Sequence, residues 1–369
     1  MVEGCLSPST FLFEEVQTMT VDLIIPTYNP DRSFLELIDK MDAQTVRPSK
    51  IVITNTEQKY FDRLIFSTSF TTEHKNADIR HISKREFDHG RTRNESVKRS
   101  DADFFLMMTQ DAMPVDDKLI ERLLAVFKKD PTVAVAYARQ VPRDDATEAE
   151  KFTRSFNYPK QSALHTEADI ETLGIKAYFC SDVCALYKRE IFDELGGFLN
   201  HTIFNEDMLF AAKAIHAGYK VAYVAEAEVI HSHNYTGRQQ YKRYFDNGVS
   251  QAKHPEIFNG LNVKGEGMEL VKKTAAHLKG SGRGLEVIPL YYQSACKYLG
   301  FRKGKRYKSL SKRTILRCTS NPEYWITDEL LRERSSIDAR QGYGRSEAEL
   351  KMLADTPIQS KKDSSDTPD

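Results

Sequence analysis

Glu206-Asp207 stands just ahead of Met208 to Ala217, whose apolar residues recur at helical spacing up to a stop at Gly218. Acids at a helix start ordinarily complement the helix dipole. A carboxylate held there can also take the proton of an attacking hydroxyl, which is general-base work. Asp111 follows the apolar run Phe104-Phe105-Leu106-Met107-Met108 inside the polar segment Thr109-Gln110-Asp111-Ala112. It serves either as a turn residue or, at the carboxyl end of a parallel strand, as a ligand-binding group. His231-Ser232-His233 puts two imidazoles on alternate residues, hence on one side of a strand that extends that far. Imidazole is a good ligand for a divalent ion. His89-Gly90-Arg91-Thr92-Arg93-Asn94 opens a helix with two arginines, which oppose the dipole. It reads as a solvated basic turn or as the seat of a diphosphate on free N–H groups.

These residues need a frame. Val21-Asp22-Leu23-Ile24-Ile25-Pro26 has the continuous apolar character of a buried parallel strand and is expected to stop at Pro26. Ser33 to Met41 is helical, with Phe34, Leu37, Ile38 and Met41 on one face, and Lys50 to Thr54 is a second strand. Further strands are expected at Ile79–Ile82, Phe104–Met108, Val133–Tyr137, Cys184–Tyr187, Val221–Val224 and Val229–His231, with helices between. Alternating strands and helices predict an α/β sandwich on a mostly parallel sheet. Pro26–Asn29, Asn55–Glu57 and Gln110–Asp111 then share the rim outside the strand ends, where such sheets bind ligands. Arg143 to Leu173 reads as an irregular cover with short helices. Beyond Pro255 the pattern turns helical, at Met268–Leu278 and Val287–Leu299, with a crowd of Lys and Arg from Arg302 to Arg317. The expected organisation is an N-terminal extension over 1–20, a catalytic domain over 21–255, a basic helical region over 256–350 and a disordered tail over 351–369.

The chain has 369 residues, with 53 basic and 53 acidic side chains. That length suits one large domain with an appendage, and the balance of charge argues against a nucleic-acid binder. Five irregularly spaced cysteines make no disulfide framework and fit a reducing cytoplasm. No secretory signal and no apolar stretch long enough to span a bilayer is visible. No Gly-x-Gly-x-x-Gly follows the first strand and no P-loop is present, which disfavours dinucleotide-dependent enzymes and nucleotidyltransferases.

Taken in order, Val21 to Asn29, Gly90-x-x-Arg93-Asn94, Thr109-Gln110-Asp111-Ala112, and Gly196-Gly197-Phe198 followed by Glu206-Asp207 resemble the inverting family-2 glycosyltransferases. Within them, Phe87-Asp88-His89-Gly90, Arg139-Gln140-x-Pro142, Phe156-Asn157-Tyr158-Pro159 and His231-Ser232-His233-Asn234-Tyr235 are similar to bacterial rhamnosyltransferases. The resemblance implies the GT-A (Rossmann-like) fold and an inverting transfer of L-rhamnose from dTDP-β-L-rhamnose to a cell-surface polysaccharide or lipid-linked glycan. It implies Asp207 as base with Glu206 beside it. Asn205, Ser181 and Asp182 fall on the acceptor side. Pro26, Thr27, Tyr28, Asn55, Glu57, Gly90, Arg91, Arg93, Asn94, Gln110 and Asp111 fall on the donor side. The family's pair of metal carboxylates is reduced here to Asp111, so Mg2+ or Mn2+ would lean on Asp111, His231 and His233. The aspartate that often reads the base is replaced by Asn55-Thr56-Glu57. The basic region 287–317 is expected either as a solvated helix face or as a peripheral contact with anionic lipid at the inner face of the plasma membrane. A non-catalytic nucleotide-sugar-binding scaffold is the alternative that the reduced metal motif permits, and the retained Glu206-Asp207 argues against it.

Overall fold

The first strand, β1 (Val21–Tyr28), is central and buried on both faces. Leu23 and Ile25 pack into one hydrophobic cluster and Ile24 into the other, as alternation along a strand requires. The computed structural model describes residues 19–261 and 266–327. The expected extension over 1–20, apart from Met19 and Thr20, and everything expected beyond residue 327 lie outside the described residues.

β1 does not stop at Pro26. It pairs with β2 (Ile51–Thr56) through Tyr28↔Thr56, but with β4 (Phe104–Met108) only up to Ile24↔Met107. Leu23 N–H donates to the Lys50 carbonyl on the β2 side, so the nitrogen of Pro26 falls on the β4 side, where pairing has already ended. The missing N–H therefore costs no ladder bond.

The remaining strands are β3 (Ala77–Ile82), β5 (Met113–Pro114), β6 (Val133–Val141), β7 (Ala163–His165), β8 (Cys184–Lys188) and β9 (Lys220–Ile230). The sheet runs β3-β2-β1-β4-β8-β6-β9-β5, with β7 on β9. The expectation of a mostly parallel sheet needs correction, because the sheet is mixed. β8 enters antiparallel between β4 and β6, and β5 and β7 are antiparallel to β9. Both short strands lie in segments expected as turn or cover. β9 is one strand where the sequence suggested two.

One face is covered by α1 (Arg32–Asp42), α2 (Gln58–Ile65) and α5 (Leu119–Lys129); α3 (Phe70–Glu73) adds Phe70. The other face carries α4 (His89–Val97), α8 (Arg189–Glu194) and α9 (Glu206–His216). Around these lie α6 (Glu148–Asn157) and α7 (Ile170–Leu173).

The helical region comprises α10 (Gly237–Lys253), α11 (Pro255–Phe258), α12 (Glu266–Gly280), α13 (Val287–Lys305) and α14 (Lys312–Cys318). α10 lies within the span expected for the catalytic domain, yet it packs lengthwise on α13. A Cβ on Gly300 would fall 2.2 Å from the Tyr241 carbonyl oxygen, and one on Gly304 would fall 2.1 Å from that of Phe245. Only glycine permits so close a crossing. Phe245 and Val249 of α10 join Ile203, Tyr307, Ile315, Tyr324 and Trp325 in one cluster, so the helical region buttresses the loop before α9. Among the described residues no helix is long and apolar enough to cross a membrane.

Candidate active site

α9 begins with Glu206 and Asp207, and Asn205 before it is left-handed at φ 68°. Asparagine tolerates that conformation, and α10 fixes it. The Asn205 side chain donates to Asn247 Oδ1 and Ser250 Oγ, each at 3.2 Å, and Ser250 in turn donates to the Phe204 carbonyl at 2.7 Å. Asn205, expected on the acceptor side, brackets the start of α9 against α10.

The two acids face different surroundings. Arg93 Nη1 lies 3.0 Å from Glu206 Oε1, and Arg93 Nε lies 2.8 Å from Asp182 Oδ2. The second contact is ionic, because the N–H is not directed at that oxygen. Among the described residues Asp207 has no cation partner. Its Oδ2 accepts from the Asp182 backbone N–H at 3.1 Å and its Oδ1 from that of Met208 at 2.7 Å. Burial, then the charges of Glu206 and Asp182, push the Asp207 carboxyl well above the usual range. Burial also acts on Glu206, but the Arg93 guanidinium and then His89 outweigh it and hold that carboxyl far below its usual value. Asp182, desolvated and beside Glu206, is raised to about 6 despite Arg93. Arg93 is paired with Glu206 and Asp182, and burial together with those two neighbouring carboxylates keeps Asp207 basic.

The other half of the site lies where β9 ends. His231 Nε2 is 3.7 Å and His233 Nε2 is 3.2 Å from the two Asp111 oxygens, and the three ligand atoms lie within 4.8 Å of one another. Both His–Asp separations are shorter than the ~4.2 Å that spans a single ion with bonds of about 2.1 Å. The donor set therefore fits a divalent ion. Burial would raise the Asp111 carboxyl, but hydrogen bonding and charge from His231 hold it well below the usual range. Burial pushes His233 down to about 4, so its ring is neutral and free to ligate near pH 7.

Gln140 of β6 connects the two halves. Its Oε1 accepts from His231 Nδ1 at 2.9 Å and also from Arg154, while its Nε2 donates to Ser181 Oγ at 2.9 Å. An oxygen at that position makes His231 Nδ1 the donor, which leaves Nε2, the atom that faces Asp111, as the one that would ligate an ion. Ser181 adjoins Asp182, whose N–H holds Asp207. A continuous chain thus runs from Asp111 through His231, Gln140 and Ser181 to Asp207.

The rim at the strand ends is polar, as expected. Thr27 donates to Asn55 Oδ1 at 3.1 Å, and the Asn55 amide meets His81 Nδ1 at 3.0 Å. Glu57, at φ 67°, accepts from the Lys84 N–H at 3.0 Å. Tyr28 is exposed, with Tyr60 edge-on at 5.6 Å and Lys84 over its ring at 4.8 Å. Gln110 clamps this strand end, because its amide pairs with both N–H and C=O of Tyr28 at 2.8 and 3.1 Å.

The segment read as a solvated basic turn or a diphosphate seat is rich in contacts within the protein. Asp88 caps α4 by accepting from Arg91 N–H at 2.8 Å, and it also accepts from His201 N–H at 3.0 Å. A Cβ on Gly90 would lie 1.9 Å from the Leu199 carbonyl oxygen. Arg91 donates to the Glu86 carbonyl, and Asn94 bonds both the carbonyl and the N–H of Phe198. The helix start is thus capped and covered, and Gly90, Arg93 and Asn94 hold the 198–206 loop. The conflict of arginines with the dipole is relieved by Asp182 and Glu206, about 90 and 110 residues away in sequence, which no local pattern discloses.

A buried carboxylate without an ion-pair partner among the described residues, linked through Gln140 and Ser181 to a group that fits a divalent ion, suits an enzyme that moves a group from an anionic donor to a hydroxyl. The chain is a glycosyltransferase and belongs to glycosyl transferase family 2, whose family model matches residues 22–196. It is 40% identical over 316 residues to the O-antigen chain rhamnosyltransferase RfbN of Salmonella typhimurium, covering 83% of this chain and 96% of that protein. It is 39% identical over 313 residues to the O-antigen chain rhamnosyltransferase WbaN of Salmonella anatum, covering 82% and 95%. Among solved structures it is similar to a mannosyltransferase of Pyrobaculum calidifontis in complex with GDP-Man and Mn2+. That likeness has 14% identity and a TM-score of 0.48, over 90% of this chain and 84% of that one.

Proposed function

We propose that this enzyme transfers L-rhamnose from dTDP-β-L-rhamnose to a hydroxyl of a growing cell-surface polysaccharide or lipid-linked glycan, with inversion at the anomeric carbon. The observation that carries the reading is the 40% identity to an O-antigen chain rhamnosyltransferase across 96% of that relative's length. The separated environments of Glu206 and Asp207 support the inverting route.

In this reading the nucleoside lies on the rim of Pro26, Thr27, Tyr28, Asn55 and Glu57. The diphosphate extends toward Asp111. The acceptor hydroxyl lies beside Asp207, which takes its proton as the oxygen bonds to C1 and the nucleoside diphosphate leaves from the opposite face. Glu206 and Asp182, tied by Arg93, keep Asp207 basic and fix its position. Asp111, His231 and His233 would hold a divalent ion, and two imidazoles with one carboxylate favour Mn2+ over Mg2+. When bound, such an ion neutralises charge developing on the leaving diphosphate.

A place at the inner face of the plasma membrane accompanies a lipid-linked acceptor. Ile288, Tyr291, Tyr298 and Leu299 are exposed along α13, and residues 287–322 contain nine Lys or Arg and no Asp or Glu. Such a face matches an anionic lipid surface. Flotation with anionic liposomes at low salt should carry the protein upward; failure to bind would remove the membrane location and leave the transfer reaction untouched.

The reaction is tested by a donor screen with dTDP-rhamnose, UDP-glucose, UDP-galactose and GDP-mannose in Mn2+ or Mg2+, with and without a rhamnose-containing acceptor. Nucleoside diphosphate should be released from dTDP-rhamnose. Release from another donor instead would discard rhamnose and keep the transferase.

A further inference from the structure

Arg243 lies in the middle of α10, at the seam between the two halves of the site. Its guanidinium stands over the Phe204 ring at 5.3 Å and over the Tyr235 ring at 4.9 Å. Phe204 precedes Asp207 by three residues, and the Tyr235 ring is 4.7 Å from that of His233. The arginine thus touches both the segment that carries the base and the segment that carries the metal ligands.

Three other arginines of this region have anionic partners. Arg93 is held by Asp182 and Glu206, Arg139 by Glu228, and Arg154 by Glu150. Arg243 is half-buried and, among the described residues, its guanidinium makes neither an ion pair nor a hydrogen bond. Two aromatic rings flank it and limit where it can move. Its edge, with five N–H donors in a fixed fork, is left for a ligand. A cation held between two rings, without a protein anion and one ring away from His233, is suited to a bidentate oxyanion.

We propose that Arg243 binds the diphosphate of the donor and of the released nucleoside diphosphate, supplying the phosphate contact that the capped start of α4 does not. This rests on the proposed nucleoside-diphosphate donor. It adds a binding residue from α10, so the helical region contributes directly to the site. The aromatic plates hold the fork in place before the ligand arrives, which lowers the ordering cost of binding.

The test is titration calorimetry of wild type, Arg243→Gln and Arg243→Lys with dTDP and with thymidine, in buffer containing Mn2+. Arg243→Gln should weaken dTDP binding by about 10–100-fold, the loss of a charge-assisted pair, and leave thymidine unchanged. Arg243→Lys should recover part of the loss, since a point charge replaces a fork. An Arg243→Gln affinity for dTDP within about twofold of wild type would overturn the proposal. If Arg243→Gln does not fold, Arg243→Lys decides: wild-type affinity there would overturn the bidentate contact. Equal losses for dTDP and thymidine would mark a merely structural role and also overturn it. Wild type that binds none of dTDP, UDP and GDP would instead defeat the donor reading, and the proposal with it.

Discussion

Arg93 Nη1 sits 3.0 Å from Glu206 Oε1, while the adjacent Asp207 has no cation partner among the described residues. Two acids next to each other in sequence are thereby assigned opposite properties. Glu206 is held ionised by its arginine, and burial together with the Glu206 charge raises Asp207. Pairs of carboxylates whose surroundings push them apart mark the division between the group that reacts and the group that supports it.

Asp207→Asn should lower turnover by roughly 10²–10⁴-fold, the usual range for a positioned general base. Donor affinity, measured by calorimetry, should stay close to wild type because Asp207 lies on the acceptor side. Near-normal turnover in Asp207→Asn would move the base elsewhere.

The pH profile follows from the direction of the Asp207 shift. The base works only when ionised, and its carboxyl is raised by burial and by Glu206 and Asp182. The acid limb of kcat/KM should therefore lie at higher pH than an ordinary aspartate gives, about 3.9. Glu206→Gln removes one of the raising charges, so that limb should move to lower pH in the variant. It also releases Arg93 from a buried partner, at a cost in stability of about 3–5 kcal/mol. Stability contributed by the depressed Glu206 is present above its unfolded value and is lost as pH falls through its folded one, so the wild-type advantage in thermal melts should shrink at low pH. A limb that stays in place would break the link between Glu206 and Asp207.

Much of this was legible in the sequence, for identifiable reasons. β1, β2 and β4 are continuous apolar runs, and their ends carry the rim residues. Asp111, His231 and His233 do converge, although β9 ends at Ile230 and both histidines follow it in irregular backbone. What was not legible depends on distant partners. Arg91 and Arg93 read as candidate phosphate partners, and the contacts of Arg93 with Asp182 and Glu206 are remote in sequence. β5 and β7 are too short for any periodicity to register. Gln140 carried a signal only within Arg139-Gln140-x-Pro142, and Arg243 is one cation among many in a helix with no strong pattern.

Gly90→Ala tests whether the start of α4 packs or binds. The added carbon would fall 1.9 Å from the Leu199 carbonyl oxygen, which is backbone and cannot swing aside. The variant should lose about 1–3 kcal/mol of stability, seen as a lower Tm. Because Leu199 begins the loop that ends at Asp207, kcat should fall more than dTDP affinity does. An unchanged Tm with weakened dTDP binding would restore a phosphate role for Gly90.

Gln140 offers the sharpest test of the metal site, since it touches a ligand without being one. Its Oε1 holds His231 Nδ1 at 2.9 Å, so Gln140→Leu removes the acceptor that fixes the tautomer. The ring can then place its proton on Nε2, the atom that faces Asp111. Outer-shell losses of this kind weaken metal affinity by about 10–100-fold. Calorimetry with Mn2+ should show that loss, and a larger one for His231→Ala. The same substitution frees Ser181, which loses the amide donor at 2.9 Å and with it part of the support for Asp182 and Asp207. Saturating Mn2+ should therefore restore the Gln140→Leu metal occupancy but not its full kcat. If saturating metal restored full turnover, the chain from His231 to Asp207 would carry no catalytic coupling; if Mn2+ affinity never changed, His231 would not be a ligand.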